Sequence, residues 1–190
     1  MIPGKLVRLR SIERSDLPRF VKWFADPEVR DGLELFAPIG EAQEARWFEE
    51  NLARPPAEQA WAIDAQTTAA GVGLRPTTAE PGWTHIGSCG FQRIDWRNRS
   101  GECGIAIGDK SQWGKGYGSD AIRTLANFGF GELNLHRIML RVYEDNARAI
   151  RAYEKAGFKT EGRLRESNFH AGRYRDTLIM AILRSEWEPP

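Results

Sequence analysis

The sequence has little of what most readily declares a chemistry. Its two cysteines, Cys89 and Cys103, show no CxxC or zinc-type spacing and lie in segments that read as strands. Two half-buried thiols fit that pattern better than a disulfide. The three histidines, His85, His136 and His170, stand apart, with no HExxH and no His/Cys cluster, so no metal is expected. Charge nearly cancels, with 27 Lys and Arg against 26 Asp and Glu and a formal net charge of +1. That argues against a nucleic-acid partner, which a basic excess or stripe would announce. The opening "MIPGKLVRLRSIERSD" has no apolar run fit for a signal peptide, and no later run is long enough to cross a membrane. These absences lead to the expectation of a reduced, cytoplasmic protein with no membrane partner.

What is present is ordinary in amount and specific in order. At 190 residues, with 41% apolar and 28% charged residues, the chain is long enough for one domain, 1–190, with a real core. "KLVRLR" alternates and reads as a strand. "RSDLPRFVKWF" reads as a helix capped by Ser15 or Asp16, with Leu17, Phe20, Val21 and Phe24 at helical spacing. A second helix is expected from Glu41 to Ala53, with Ala45, Phe48 and Leu52 on one side, stopped by Pro55 and Pro56. "WAIDA" is a short strand, followed by a Gly-, Pro- and Thr-rich stretch, 67–82, that reads as an exposed hairpin loop. Strands "HIGSCGFQRI" and "GECGIAIG" follow, then a helix over "GYGSDAIRTLANFGFGE", a strand "HRIMLRVYE" and a short helix "DNARAIRAYEKAGF". Asn146 caps that helix and Gly157 stops it. "KTEGRLRES" and "RYRDTLIMAIL" close as an antiparallel pair turned at Gly172. The order β-α-α-β-β-β-α-β-α-β-β predicts an α/β protein of the α+β type: a mixed, largely antiparallel sheet flanked by helices.

The stretch "WGKGYGSDA" sets glycines at 114, 116 and 118 around Lys115, just before a helix. A helix start presents unpaired N–H groups and a positive dipole end, and glycines let phosphate oxygens come close. The expected use is a phosphate or pyrophosphate cradle. A P-loop is excluded, because Gly116 stands where Ser or Thr should follow the lysine. A dinucleotide fingerprint is formally present at Gly116, Gly118 and Ala121, with Glu144 downstream as a ribose-binding acid. Against it, the chain lacks the repeated βα units of a dinucleotide fold. A glycine-rich helix start that binds nothing is the plain structural alternative.

Three stretches decide between them: "IGDKSQWGKGYGSDAI", "LRVYEDNARAIRAYEKAGF" and "GRYRDTLIMAILRSEW". Together with the opening "LVRLRSIERSDLPRFVKWFADPEV" they resemble the GNAT superfamily of acetyl-CoA-dependent N-acetyltransferases, and within it the ribosomal-protein N-terminal acetyltransferase branch. The resemblance spans nearly the whole chain. It implies the GNAT acyl-CoA N-acyltransferase fold and acetyl-CoA as cosubstrate. The superfamily's phosphate motif, Q/R-x-x-G-x-G/A, finds its glycines in Gly116 and Gly118, but Trp113 stands where Gln or Arg is expected. The loop after "WAIDA" is a second departure. By resemblance, Trp113, Gly114, Lys115, Gly116, Tyr117, Gly118 and Ser119 form the cradle. The backbone of Ile105, Ala106 and Ile107 pairs with the pantetheine as an added strand would, and Asn146 lies near it.

Acetyl transfer to an amine needs a neutral nucleophile, support for a developing oxyanion and a proton for the departing thiolate. The resemblance implies direct attack in a ternary complex, which needs no cysteine nucleophile. It makes Tyr153 the candidate acid; seven residues from Asn146, it shares that residue's helix face. The alternative for Tyr153 is a packed aromatic with its hydroxyl bonded elsewhere, and for Asn146 plain helix capping. Glu102 is the candidate base, sharing a strand face with the small residues Gly104 and Ala106; a surface carboxylate is its plain alternative. Glu34 and Glu166 are reserves. A peptide α-amine, with a pKa of about 8, needs little deprotonation, whereas a lysine-like amine near 10.4 costs about 4.6 kcal/mol at pH 7. No second acid clusters with Glu102, which leans towards an α-amine or activation through water. The acceptor class stays open among protein N-termini, polyamines, aminoglycosides and amino acids. The acids Glu34, Glu102 and Glu166 would suit a cationic acceptor, and a homodimer would fit the branch. A catalytically inactive CoA-binding protein of the same fold is the alternative function.

Overall fold

The computed structural model describes residues 1–66 and 82–188. Its strands are β1 (Ile2–Pro3), β2 (Val7–Ser11), β3 (Trp61–Gln66), β4 (Trp83–Asp95), β5 (Ser100–Ile107), β6 (Arg137–Tyr143), β7 (Lys159–His170) and β8 (Arg173–Leu183). Its helices are α1 (Leu17–Ala25), α2 (Pro27–Asp31), α3 (Glu41–Ala53), α4 (Tyr117–Gly131) and α5 (Ala147–Lys155). The expected element order holds, with β1 and α2 added. The hairpin loop expected at 67–82 lies, but for Gly82, outside the described residues.

One sheet runs in the order β1-β2-β3-β4-β5-β6-β8-β7. Every neighbouring pair is antiparallel except β5 and β6, which α4 joins as a crossover. That parallel pairing is short, ending where Glu102 faces Met139. The other edge of β5 stays paired to β4 as far as Ile107 opposite Gly87. The two central strands therefore part beyond Glu102, and among the described residues one edge of β5 from Gly104 to Ile107 has no strand partner.

A bulge interrupts the β3–β4 pairing next to Gly87, which faces the end of β5 at Ile107. Ile63 faces Gly87 while Asp64 faces His85, leaving Ile86 as the extra residue on β4. Gly87 is required there, since a Cβ would stand 2.0 Å from the Ala106 carbonyl oxygen.

Each sheet face carries its own apolar layer. Ile122, Leu125, Ala126 and Phe130 of α4 meet Leu9, Ile63, Phe91, Leu140 and Met180 from the strands. On the other face Leu17 and Phe20 of α1 and Phe48 of α3 close over Ile12 and Ala62. The face expected for α3 is turned by one position. Leu52 is 48% exposed, whereas Glu44 and Asn51 are buried with Phe48. Residues 44, 48 and 51 follow the helical repeat equally well, and Asn51 has a task there: its Oδ1 accepts from Ala60 N at 2.8 Å, fixing the path into β3.

Nor does Asp16 cap α1. Its oxygens accept from Arg10 Nη1 and Nη2 at 2.7 and 2.9 Å and from Glu13 N at 2.9 Å. Burial alone would raise its pKa, but the bonds from Arg10 and His85 win and hold the carboxyl well below the usual range. A charged partner outcompetes a helix cap.

Candidate active site

The glycine loop has a backbone reason for its glycines. Gly114 and Gly116 adopt φ of +75° and +89°, a conformation that side chains disfavour. Gly116 is the residue before α4, so the turn aims the helix's first N–H groups outward. Gly118 is helical, and a Cβ there would sit 3.8 Å from Ile107. This third glycine has no need of positive φ, and a Cβ there would make only an ordinary contact.

Trp113 anchors the loop to β5, its indole N–H donating to the Ile107 carbonyl at 2.7 Å. Across from it the Arg148 guanidinium of α5 lies over the indole, its Cζ 3.4 Å from the ring centroid. Between the loop, the unpaired edge of β5, α5 and the end of α2 opens a cavity of about 380 Å³. That is within the size range of small-molecule sites. Ile105, Ala106, Ile107, Trp113, Gly114, Gly116, Tyr117, Gly118, Ser119, Asn146 and Tyr153 all line it. Lys115 does not; its Nζ is exposed and donates to Gln112 Oε1 at 3.2 Å.

The cations that do line the cavity are Arg148, Arg151 and Lys155, and none of its described lining residues is Asp or Glu. Sequence reasoning missed these three. Their spacing of three and four residues marks one face of α5, a signal visible in "NARAIRAYEK". The wall formed by Val29, Gly32 and Leu33 was also missed. Lys110 ties α2 to the segment after β5 through Asp26 at 2.7 Å and Glu28 at 2.8 Å. Asp31 fastens its other end to His170 at 3.0 Å and to Arg175 at 3.2 Å.

Asn146 caps α5, its Oδ1 accepting from Ala149 N at 3.1 Å. Its Nδ2 lies 3.1 Å from where a Gly32 Cβ would be, so that glycine leaves space for the amide. Tyr153 is buried, and among the described residues no protein group bonds its hydroxyl. Burial, with a smaller contribution from Cys103, pushes its pKa above the usual value, so the hydroxyl keeps its proton at neutral pH. Burial likewise pushes the Cys103 thiol up to about 12 and raises that of Cys89. Neither is a thiolate nucleophile at pH 7.

Glu102 stands outside the cavity lining, at the last residue pair before β5 and β6 part. Its Oε1 is 3.1 Å from Arg141 Nε, and Arg93 faces it from β4. Glu34 reaches the same side of the molecule: burial, then its charge, pushes the Tyr143 hydroxyl up. Glu166 sits in a bulge of β7 with φ of +50°, its N–H bonded to Asp176 at 2.7 Å. Glu144, the acid a dinucleotide site would need, is paired with Arg163 at 2.8 Å. No group of three or more His, Cys, Asp or Glu among the described residues is arranged to hold a metal ion. No helix among them is long and apolar enough to cross a membrane.

Comparison with known proteins identifies the family and the fold. The acetyltransferase (GNAT) domain profile matches residues 7–159. The uncharacterized N-acetyltransferase p20 of Bacillus licheniformis is 28% identical over 181 residues, 94% of this chain and 93% of its own length. The spermidine N(1)-acetyltransferase of Vibrio cholerae is 39% identical over 102 residues, 54% of this chain and 58% of that protein. A structure of spermidine N-acetyltransferase from Vibrio cholerae in complex with CoA and spermine superposes with a TM-score of 0.78. It is 26% identical and covers 95% of this chain and 97% of that one. The chain belongs to the GNAT family of acetyl-CoA-dependent N-acetyltransferases.

Proposed function

We propose that the chain, acting as one domain, transfers the acetyl group of acetyl-CoA to a primary amine on a polyamine. One observation carries the cofactor half of this reading. The cavity combines a glycine-shaped helix start with three cations and, among its described lining residues, no carboxylate, which suits a thioester bearing several phosphates. Gly116 and the N–H groups of residues 117–119 would hold the diphosphate. The unpaired edge of β5 would hydrogen-bond the pantetheine amides, and Asn146 Nδ2 faces the same space. When bound, acetyl-CoA supplies an activated acyl carbonyl.

The chain's own residues then have distinct tasks. Tyr153, buried and protonated, holds the proton that the departing sulfur needs. Glu102, at the start of the wedge, receives a proton from the acceptor amine through water. It lies four residues before Ala106, roughly 13 Å along the strand, which is too far for direct contact with a group seated there. Its pairing with Arg141 positions the carboxylate and must loosen as the proton arrives.

For the acceptor, the Vibrio cholerae relative is named a spermidine N(1)-acetyltransferase, and Glu34 and Glu102 would supply negative charge to a polycation. The ribosomal-protein branch read from the sequence remains the competing reading, favoured by the lack of a second acid beside Glu102. Steady-state kinetics with spermidine, spermine, an N-terminal peptide, an aminoglycoside and free amino acids separates them. Polyamines should give the highest kcat/KM, by tenfold or more; a higher value for the peptide would overturn the polyamine assignment. Absence of thioester consumption with every amine would favour the inactive CoA-binding alternative.

A further inference from the structure

We propose that Arg148, held over the ring of Trp113, is the cation that binds the diphosphate of the cofactor. On this view it is supplied from α5 to a loop whose first position carries no charge. The inference rests on the acetyl-CoA reading of the cavity and goes beyond it, since it assigns one residue to one chemical group.

Four observations support it. Arg148 lines the cavity, yet among the described residues it has no carboxylate at ion-pairing distance. The acid whose charge it feels, Glu28, is itself paired with Lys110 at 2.8 Å. By contrast Arg10, Arg137, Arg141, Arg163, Arg173 and Arg175 are all in ion pairs. Arg148 is exposed, so an anionic ligand would meet a cation whose charge no described ion pair has taken up.

The third observation is the stack itself. Trp113 is fixed by its bond to Ile107, and the guanidinium lies 3.4 Å from the ring centroid. Stacking limits the rotamers of a long side chain and leaves its N–H edge available for a bidentate contact with phosphate oxygens. The fourth is position. Trp113 opens the loop whose end, Gly116, presents the helix N–H groups, so Arg148 stands beside the same anion-binding turn. A tryptophan where the motif calls for Gln or Arg thus becomes the platform for an arginine from another element.

Calorimetric binding of CoA, dephospho-CoA and pantetheine tests the assignment, because only the first two carry a diphosphate and only CoA carries the 3′-phosphate. Arg148→Ala should weaken CoA and dephospho-CoA alike, by about 10- to 100-fold, and leave pantetheine unchanged. Arg148→Lys should recover part of the loss, since it restores charge without the stack. Trp113→Leu should weaken CoA, and the double variant should lose less than the two single losses combined. CoA affinity within twofold of wild type in Arg148→Ala would overturn the proposal. So would an equal loss for pantetheine, which would mean a general packing defect, or a loss for CoA alone, which would place Arg148 at the 3′-phosphate. If the wild-type protein bound neither nucleotide, the acetyl-CoA reading itself would fail, and this inference with it.

Discussion

Two charged regions of this molecule are built on opposite rules. Along β6, β8 and β7 charges occur in pairs: Arg175 with Asp31 and Asp145, Arg173 with Asp145, Arg163 with Asp176 and Glu144, Arg137 with Glu161. Around the cavity Arg148, Arg151 and Lys155 share one helix face, and none of the described lining residues is an acid. The paired region holds shape, tying the end of α2 to the hairpin that closes the sheet. In the unpaired region the three cations are exposed, and their charge is available to an anionic ligand. The difference identifies the cavity more firmly than its glycines do, since Gly114 and Gly116 are explained by positive φ alone.

The largest test of this contrast lies inside the cavity. Tyr153→Phe should lower kcat by about 10²- to 10⁴-fold, the range for loss of a general acid, with the Kd of CoA unchanged. Unaltered turnover would return Tyr153 to the role of a packed aromatic beside Phe158.

The next test concerns an unpaired charge that has no cavity. Glu44 is buried in the layer between α1 and α3, and burial raises its pKa to about 7. Below about pH 4.3 both folded and unfolded chains carry this proton. As pH rises towards 7 the unfolded chain releases it first, so stability falls across that window and levels off above it. The loss is at most about 4 kcal/mol. Glu44→Gln should flatten this slope and raise the urea midpoint at pH 8; a steeper or unchanged slope would contradict the account. A surface pair should matter least. Arg163→Ala removes an exposed partner of Asp176 and Glu144, and its urea midpoint should match wild type within error.

How much of this was legible beforehand follows the range of each interaction. The strands and long helices were readable because side-chain periodicity is local, and the cap at Asn146 because it spans three residues. The face of α3 was misread because Glu44 looks like a surface residue until α1 packs over it. Asp16 was misread because its partners, Arg10 and His85, come from strands. The cavity shows the same division. Its loop was plain in the sequence, but the stop in β5–β6 pairing at Glu102 and the meeting of Arg148 with Trp113 are made by the sheet and by a helix 35 residues away. Glu102 and Lys115 were candidates by proximity in sequence, and neither reaches the cavity lining.

The most direct test of the central claim is the shift in melting temperature on adding acetyl-CoA, CoA, NAD or ATP separately, each near 100 times an expected Kd. A cavity built for a phosphorylated thioester should respond to the two CoA species, gaining about 2.7 kcal/mol, or roughly 5–10 °C. A shift with NAD and none with CoA would mean that the glycines serve a dinucleotide, and would contradict the account at its foundation.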